Sequence, residues 1–188
     1  MSKTLVICSD VDGVILNYIQ GFIEFTVDEN ISFRYNPEKY GVMRDLINED
    51  ELRERFHKGN YLRKLQYYSN ALEVLNSLAE KFELHLVTAI SPECCEKRKE
   101  NLAALNYTSL QCVGDHAKER VILEEVIPDV IIEDRPKLIR AFHAAGIPVF
   151  FPDWHRYTWD MDPFGIAFSD WEKLPSILEG LFSRKKNK

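Results

Sequence analysis

Apolar residues follow two rhythms along this chain. Five short runs, residues 4–9, 84–88, 110–113, 130–132 and 147–151, are dense in Val, Ile, Leu and Phe and are of strand length, the pattern of strands buried on both faces. Between them the apolar positions recur every three or four residues. Leu72, Leu75, Leu78, Ala79 and Phe82 mark a helix before the second run. Ser91-Pro92 with Glu93 and Glu96 opens another helix after it, and Pro136 and Gly146 bracket a third. Strands alternating with helices in this way predict right-handed crossovers, hence an α/β fold with a Rossmann-like parallel sheet covered on both faces.

One interval breaks the alternation. About 70 residues separate Asp12 from the second run, far more than a crossover needs. Ile15, Tyr18, Ile19, Phe22, Ile23 and Phe25 recur there at helical spacing, and Asn36-Pro37 and Gly59 punctuate the stretch. The expectation is a small helical cap over residues 15–70, inserted after the first strand of a core made of residues 1–14 and 71–188.

Composition narrows the classes. At 188 residues, 45% apolar and 29% charged, the chain suits one well-buried core. A net charge of -6 leaves no cationic excess for a phosphate backbone, which argues against duplex nucleic acid but not against a small phosphorylated ligand. No stretch approaches the roughly 20 apolar residues of a membrane helix, and the N-terminus lacks a basic-then-apolar leader, so a cytoplasmic location and no membrane partner are expected. The oligomeric state is left open. Cys8, Cys94, Cys95 and Cys112 have no zinc-site spacing and read as reduced thiols. The basic tail, residues 184–188, reads as a solubilising end. Trp159, Trp171 and Phe182 read as packing residues.

In an open parallel sheet, ligands bind beyond the carboxyl ends of the strands. Those ends carry chemistry here. The first run finishes in Asp10-Val11-Asp12-Gly13, the second in Thr88, and the fourth in Glu133-Asp134-Arg135-Pro136, while Lys118 precedes the fourth. Clustered carboxylates repel one another and call for a compensating cation. Mg²⁺ fits, because it prefers oxygen ligands and is usually shared between one or two carboxylates and a substrate phosphate. Asp10 and Asp134, helped by Glu133, are the candidate ligands, and Thr88 and Lys118 are free to hold phosphate oxygens. Such parts suit phosphoryl transfer.

Asp10-Val11-Asp12-Gly13, Thr88, Lys118 and Glu133-Asp134, in that order on strand ends, resemble the four motifs of the haloacid dehalogenase superfamily of phosphohydrolases. The stretch from Asp129 to Pro136 is similar to the acidic signature of its 5'(3')-deoxyribonucleotidase-like branch, and the insert sits where that branch carries a cap. The resemblance implies that Asp10 is a nucleophile forming an aspartyl-phosphate and that Asp12 is the general acid and then the general base. It makes Thr88 and Lys118 phosphate-binding and charge-balancing groups. The metal would fall to Asp10, Asp134 and the Asp12 backbone carbonyl, with Glu133 in support. Two positions depart from that branch: Glu133 stands where Asp is usual, and Ala89 where a second hydroxyl is usual. Lys97 and Lys99 compete with Lys118 for its part.

The expected function is therefore Mg²⁺-dependent phosphomonoester hydrolysis, with nucleoside monophosphates as the first substrate class. Sugar phosphates or other small phosphomonoesters are the alternative within the class. The alternatives outside it are a non-catalytic nucleotide-binding module and a phospho-acceptor such as a receiver domain. A receiver lacks both an insert after strand one and a proton carrier such as Asp12. Of Phe22, Phe25, Tyr35, Tyr40 and Tyr61, at least one is expected to face the substrate. His155 and Arg156 are read as part of a surface loop anchored by Trp154.

Overall fold

The computed structural model describes residues 5–43 and 46–186, with side chains through Phe182. Thr4 of the first apolar run, and the side chains of the basic tail, lie outside the described residues. Six strands form one parallel sheet: β1 (Val6–Ser9), β2 (Glu83–Thr88), β3 (Ser109–Cys112), β4 (Val130–Ile132), β5 (Val149–Pro152) and β6 (Ile166–Phe168). Their order is β3-β2-β1-β4-β5-β6. All five expected strands are present. The sixth, Ile166-Ala167-Phe168, is too short for any periodicity to betray it and pairs only with the edge of β5.

The register explains the two-sided burial. Ile7 stands between Leu84 and Val130, and Cys8 between His85 and Ile131, so alternate residues of the central strand point to opposite faces. Ile7, Leu84, Leu86, Val130, Ile132 and Phe150 belong to one apolar cluster. Cys8, Val87, Ile131, Val149 and Phe151 belong to the other. Burial of both faces is why these runs read as nearly continuous hydrophobic stretches.

Among the described residues seven α-helices accompany the sheet: α1 (Tyr18–Asp28), α2 (Glu49–Lys58), α3 (Ala71–Ala79), α4 (Cys95–Asn101), α5 (Lys118–Val121), α6 (Pro136–Ala144) and α7 (Leu174–Lys186). Pro136 opens α6 at a position where no backbone N–H is needed, and Gly146 leaves it at φ +77°. Trp171 and Phe182 are buried in the first cluster, but Trp159 is not a packing residue: it is 60% exposed, and its indole N–H donates to the Asp153 carbonyl.

Between β1 and β2 lie α1 and α2, joined by an irregular segment. Phe22, Phe25 and Phe56 pack there edge-to-face or tilted, with ring centroids 5.5–5.6 Å apart. Tyr61 closes on Phe25 at 5.0 Å. These rings share one apolar cluster with the sheet, so three of the five aromatic side chains considered for ligand contact are packing residues.

The cysteines correct an expectation. Cys95, the first residue of α4, is disulfide-bonded to Cys112, the last of β3, with the Cα atoms 5.7 Å apart. Only Cys8 and Cys94 are free, and both are buried. Among the described residues no helix is long and apolar enough to cross a membrane.

Candidate active site

The chain runs outward along β1, turns back to β2 and β3 on one side, then crosses to β4 on the other. Strand order thus reverses at β1, and the crevice beyond the carboxyl ends of β1 and β4 is where an open sheet of this kind binds ligands. Asp10 stands at its lip. Its backbone N–H still donates to the Ile132 carbonyl at 2.9 Å, which holds the end of β1 against the end of β4. The backbone then curls, with the N–H groups of Ile15 and Leu16 both donating to the Val11 carbonyl at 2.9 Å. Gly13 takes φ +83° in this curl, and a Cβ there would lie 2.3 Å from Asp134 Oδ2. Only glycine permits both the turn and the close approach.

Three acids converge. Asp10, Glu133 and Asp134 are buried and present carboxylate oxygens within 4.8 Å of one another. Lys118, at the start of α5, reaches in with Nζ 2.7 Å from Asp10 Oδ2 and 2.8 Å from Glu133 Oε2. Burial opposes its charge, but Asp10 and Glu133 outweigh that and push its pKa up, so Lys118 stays an ammonium. One lysine does not balance three carboxylates. Burial, then Asp10 and Glu133, push the Asp134 carboxyl well above its ordinary range, and burial with Asp10 raises Glu133 against the pull of Lys118. The rival lysines stand elsewhere: Lys97 Nζ donates to the His57 carbonyl at 3.2 Å, and Lys99 pairs with Glu96 at 2.6 Å on the surface.

Asp12 sits on the other side of the curl, near the end of β2. Thr88, fully buried, donates its hydroxyl to Asp12 Oδ2 at 3.3 Å. Arg98 of α4, also fully buried, grips the same carboxylate with Nη2 2.6 Å from Oδ1 and 2.8 Å from Oδ2. Burial pushes the Asp12 pKa up, and Arg98 pulls it back. Arg98 went unrecognised in the sequence, because a lone arginine in Cys-Glu-Lys-Arg-Lys-Glu reads as part of a solvated helix face.

The loop after β5 is the second correction. His155 is buried, and its Nε2–H donates to the Gly13 carbonyl at 2.7 Å. Burial pushes its pKa down to about 4, which leaves a neutral ring. Tyr157 lies parallel to that ring at 4.7 Å and donates its hydroxyl to Asp134 Oδ2 at 2.7 Å. Tyr157 therefore lines the cavity of the site, and His155 packs behind it. Arg156 does point outward, as expected of a surface position.

A cavity of about 200 Å³ opens over these groups. The sheet side contributes Asp10, Asp12, Lys118, Asp134 and Tyr157, and the insert contributes Tyr35, Tyr40, Met43 and His57. Of the aromatic residues expected to face a ligand, Tyr35 and Tyr40 do line it. All six residues singled out from the sequence, Asp10, Asp12, Thr88, Lys118, Glu133 and Asp134, meet at this one sheet edge.

No protein-family profile matches the chain. Among curated proteins it is 30% identical over 131 residues to an uncharacterized 32.4 kDa protein of the Gp30-rIII intergenic region of Enterobacteria phage T4. That match takes in 61% of this chain and 47% of the relative, so the chain spans about half the length of the curated protein it matches. Among solved structures, a haloacid dehalogenase-like family hydrolase of Streptococcus pneumoniae superposes with TM-score 0.72 at 14% identity, covering 95% of this chain and 100% of that one. A Bacillus subtilis protein described as a HAD hydrolase, in a magnesium-bound structure, gives 0.67 at 15% identity with the same coverage. A 2-haloacid dehalogenase of Pseudomonas syringae gives 0.56 at 15% identity, again over 95% and 100%. The sheet order, the crevice and these superpositions agree that the chain has the haloacid dehalogenase-like hydrolase fold.

Proposed function

We propose that the protein is a phosphomonoesterase of the haloacid dehalogenase superfamily, dependent on Mg²⁺. The observation that carries the reading is the acidic cluster with its unbalanced charge: Asp134 Oδ1 is buried, has no hydrogen-bond partner, and lies among oxygen donors only. That donor set suits a hard cation of the Mg²⁺ kind. Asp10, Asp134 and the Asp12 backbone carbonyl would hold it, with Glu133 supporting from behind. Bound there, the ion would offset the negative charge of carboxylates and phosphate that must approach one another.

The chain's own residues divide the work. A carboxylate oxygen of Asp10 attacks phosphorus, the bond from phosphorus to the leaving oxygen breaks, and Asp12 delivers its proton to that oxygen. Asp12 then takes a proton from the water that cleaves the aspartyl-phosphate, which releases phosphate and restores Asp10. Lys118, on the cavity wall, holds a phosphoryl oxygen and offsets charge, while Thr88, fully buried behind Asp12, acts through the hydroxyl it donates to that carboxylate and not on the phosphate as the motif resemblance implied. Burial raises the Asp12 pKa and Arg98 opposes that rise, so the carboxyl is held above its ordinary range, the direction an acid that must give up a proton requires.

For the substrate, Tyr35 and Tyr40 on the cavity wall favour a planar ring, hence nucleoside monophosphates, with sugar phosphates as the second class. Residues 15–70 act as a cap over the site. The test is phosphate release from a panel of nucleoside and sugar monophosphates, with Mg²⁺ or chelator. Metal-dependent release that falls by about a thousandfold or more in Asp10→Asn is the expected result. Folded, Mg²⁺-supplied protein that releases phosphate from nothing in the panel would overturn the phosphatase reading and leave ligand binding in its place.

A further inference from the structure

The acidic cluster is not symmetric in what it offers a cation. Asp10 Oδ1 accepts the Val11 N–H at 2.7 Å, and Oδ2 faces Lys118. Glu133 Oε1 accepts the N–H groups of Asp134 and Arg135, both at 3.1 Å, and Oε2 faces Lys118. Asp134 Oδ2 accepts the Tyr157 hydroxyl. Two of these six carboxylate oxygens, Glu133 Oε2 and Asp134 Oδ1, are buried without a hydrogen bond; Glu133 Oε2 is answered by the Lys118 ammonium at 2.8 Å, whereas Asp134 Oδ1 has neither a hydrogen bond nor an ion pair.

From this geometry we infer that Tyr157 sets the metal preference of the site by confining Asp134 to one ligating oxygen. The inference rests on the metal-dependent reading above and goes beyond it. Ca²⁺ takes six to eight oxygens and readily accepts both oxygens of a carboxylate, whereas Mg²⁺ demands near-octahedral geometry with single oxygens and retained waters. A hydroxyl donated to Oδ2 ties up that oxygen and fixes the carboxylate plane, so two-oxygen binding would require breaking a buried hydrogen bond. Tyr157 is itself held firmly. One face of its ring lies on His155, whose N–H is committed to Gly13, and the Tyr40 ring meets it edge-on at 5.4 Å. Tyr157 stands in the 3₁₀ helix Arg156–Phe164 after β5, and because its hydroxyl is committed to Asp134 Oδ2 it acts as a positioning residue and not a ligand.

The test measures ion binding directly, without substrate: calorimetric titration of wild-type protein and Tyr157→Phe with Mg²⁺ and, separately, with Ca²⁺. Phenylalanine keeps the ring contacts and removes only the hydroxyl. The expected result is a drop of about tenfold in the ratio of Mg²⁺ to Ca²⁺ affinity, the scale of one hydrogen bond to a charged group. Thermal unfolding checks the fold, and Tyr157→Met serves as a second hydroxyl-free variant with the same expected drop. An unchanged ratio, with wild type binding Mg²⁺, would overturn the inference and leave the metal site standing. Wild-type protein that binds neither ion would overturn both.

Discussion

At the scale of single residues, the proton-bearing half of the site is a tightly paired set of buried groups, in contrast to the unbalanced acidic cluster, and Arg98 has the most to lose. Its guanidinium is fully buried and holds both oxygens of Asp12, while Nη1 donates to Asn101 Oδ1 at 3.1 Å. Asn101 Nδ2 in turn donates to the Leu65 carbonyl at 3.0 Å, which links Asp12 to the chain ahead of α3. Truncating one member of a buried pair leaves the other without compensation. Arg98→Ala is therefore expected to cost about 3 kcal/mol of stability in urea unfolding and to lower kcat for phosphate release more than it raises KM. Arg98→Lys, which keeps the charge but cannot span Asp12 and Asn101 with one planar group, should recover stability better than turnover.

At the scale of elements, α4 is short and rests on two fastenings. Arg98 ties its middle to Asp12, and the Cys95–Cys112 bridge ties its first residue to the end of β3, where Cys112 pairs with Thr88. The bridge closes a separation of 17 residues. A loop of that size is worth about 3 kcal/mol through the entropy removed from the unfolded chain. Reduction with a dithiol, or the pair Cys95→Ser and Cys112→Ser, should lower the unfolding midpoint by that amount. Amide exchange should show the gain in mobility concentrated in α4. An unchanged midpoint would mean that the packing of α4 alone holds it.

At the scale of the whole molecule, the buried histidines make stability depend on pH. Burial, then Arg98, Arg53 and Lys97, push the pKa of His57 down to about 4. Its Nε2 lies 2.8 Å from the Tyr18 hydroxyl, a contact inside the insert between α1 and α2. The unfolded chain takes up the proton near the ordinary histidine value of 6.5, and the folded chain refuses it until about pH 4. Folding is therefore favoured in full above pH 6.5 and loses that contribution as pH falls toward about 4, a change of up to about 3 kcal/mol. His57→Gln should flatten this acid slope when unfolding free energies at about pH 7 and about pH 4.5 are compared. Equal slopes in the two proteins would assign the acid sensitivity to other groups.

Much of this was legible in the sequence because it depends on chain-local chemistry. Runs of Val, Ile and Leu of strand length, Pro136 and Gly146 at the two ends of a helix, and acids placed where apolar runs stop are each a property of a few adjacent residues. With the crevice rule for parallel sheets they located Asp10, Asp12, Thr88, Lys118, Glu133 and Asp134. Tertiary structure decided what depends on distant segments meeting. Arg98 and Cys95 lie on a helix whose sequence reads as solvated, and only the parallel register of β2 and β3 brings Cys112 beside them. His155 and Tyr157 follow a strand in a polar, aromatic run that looks like surface, and they become part of the site because β5 lies next to β4. Sequence determines which side chains a strand end presents; only packing decides which partners hold their charges.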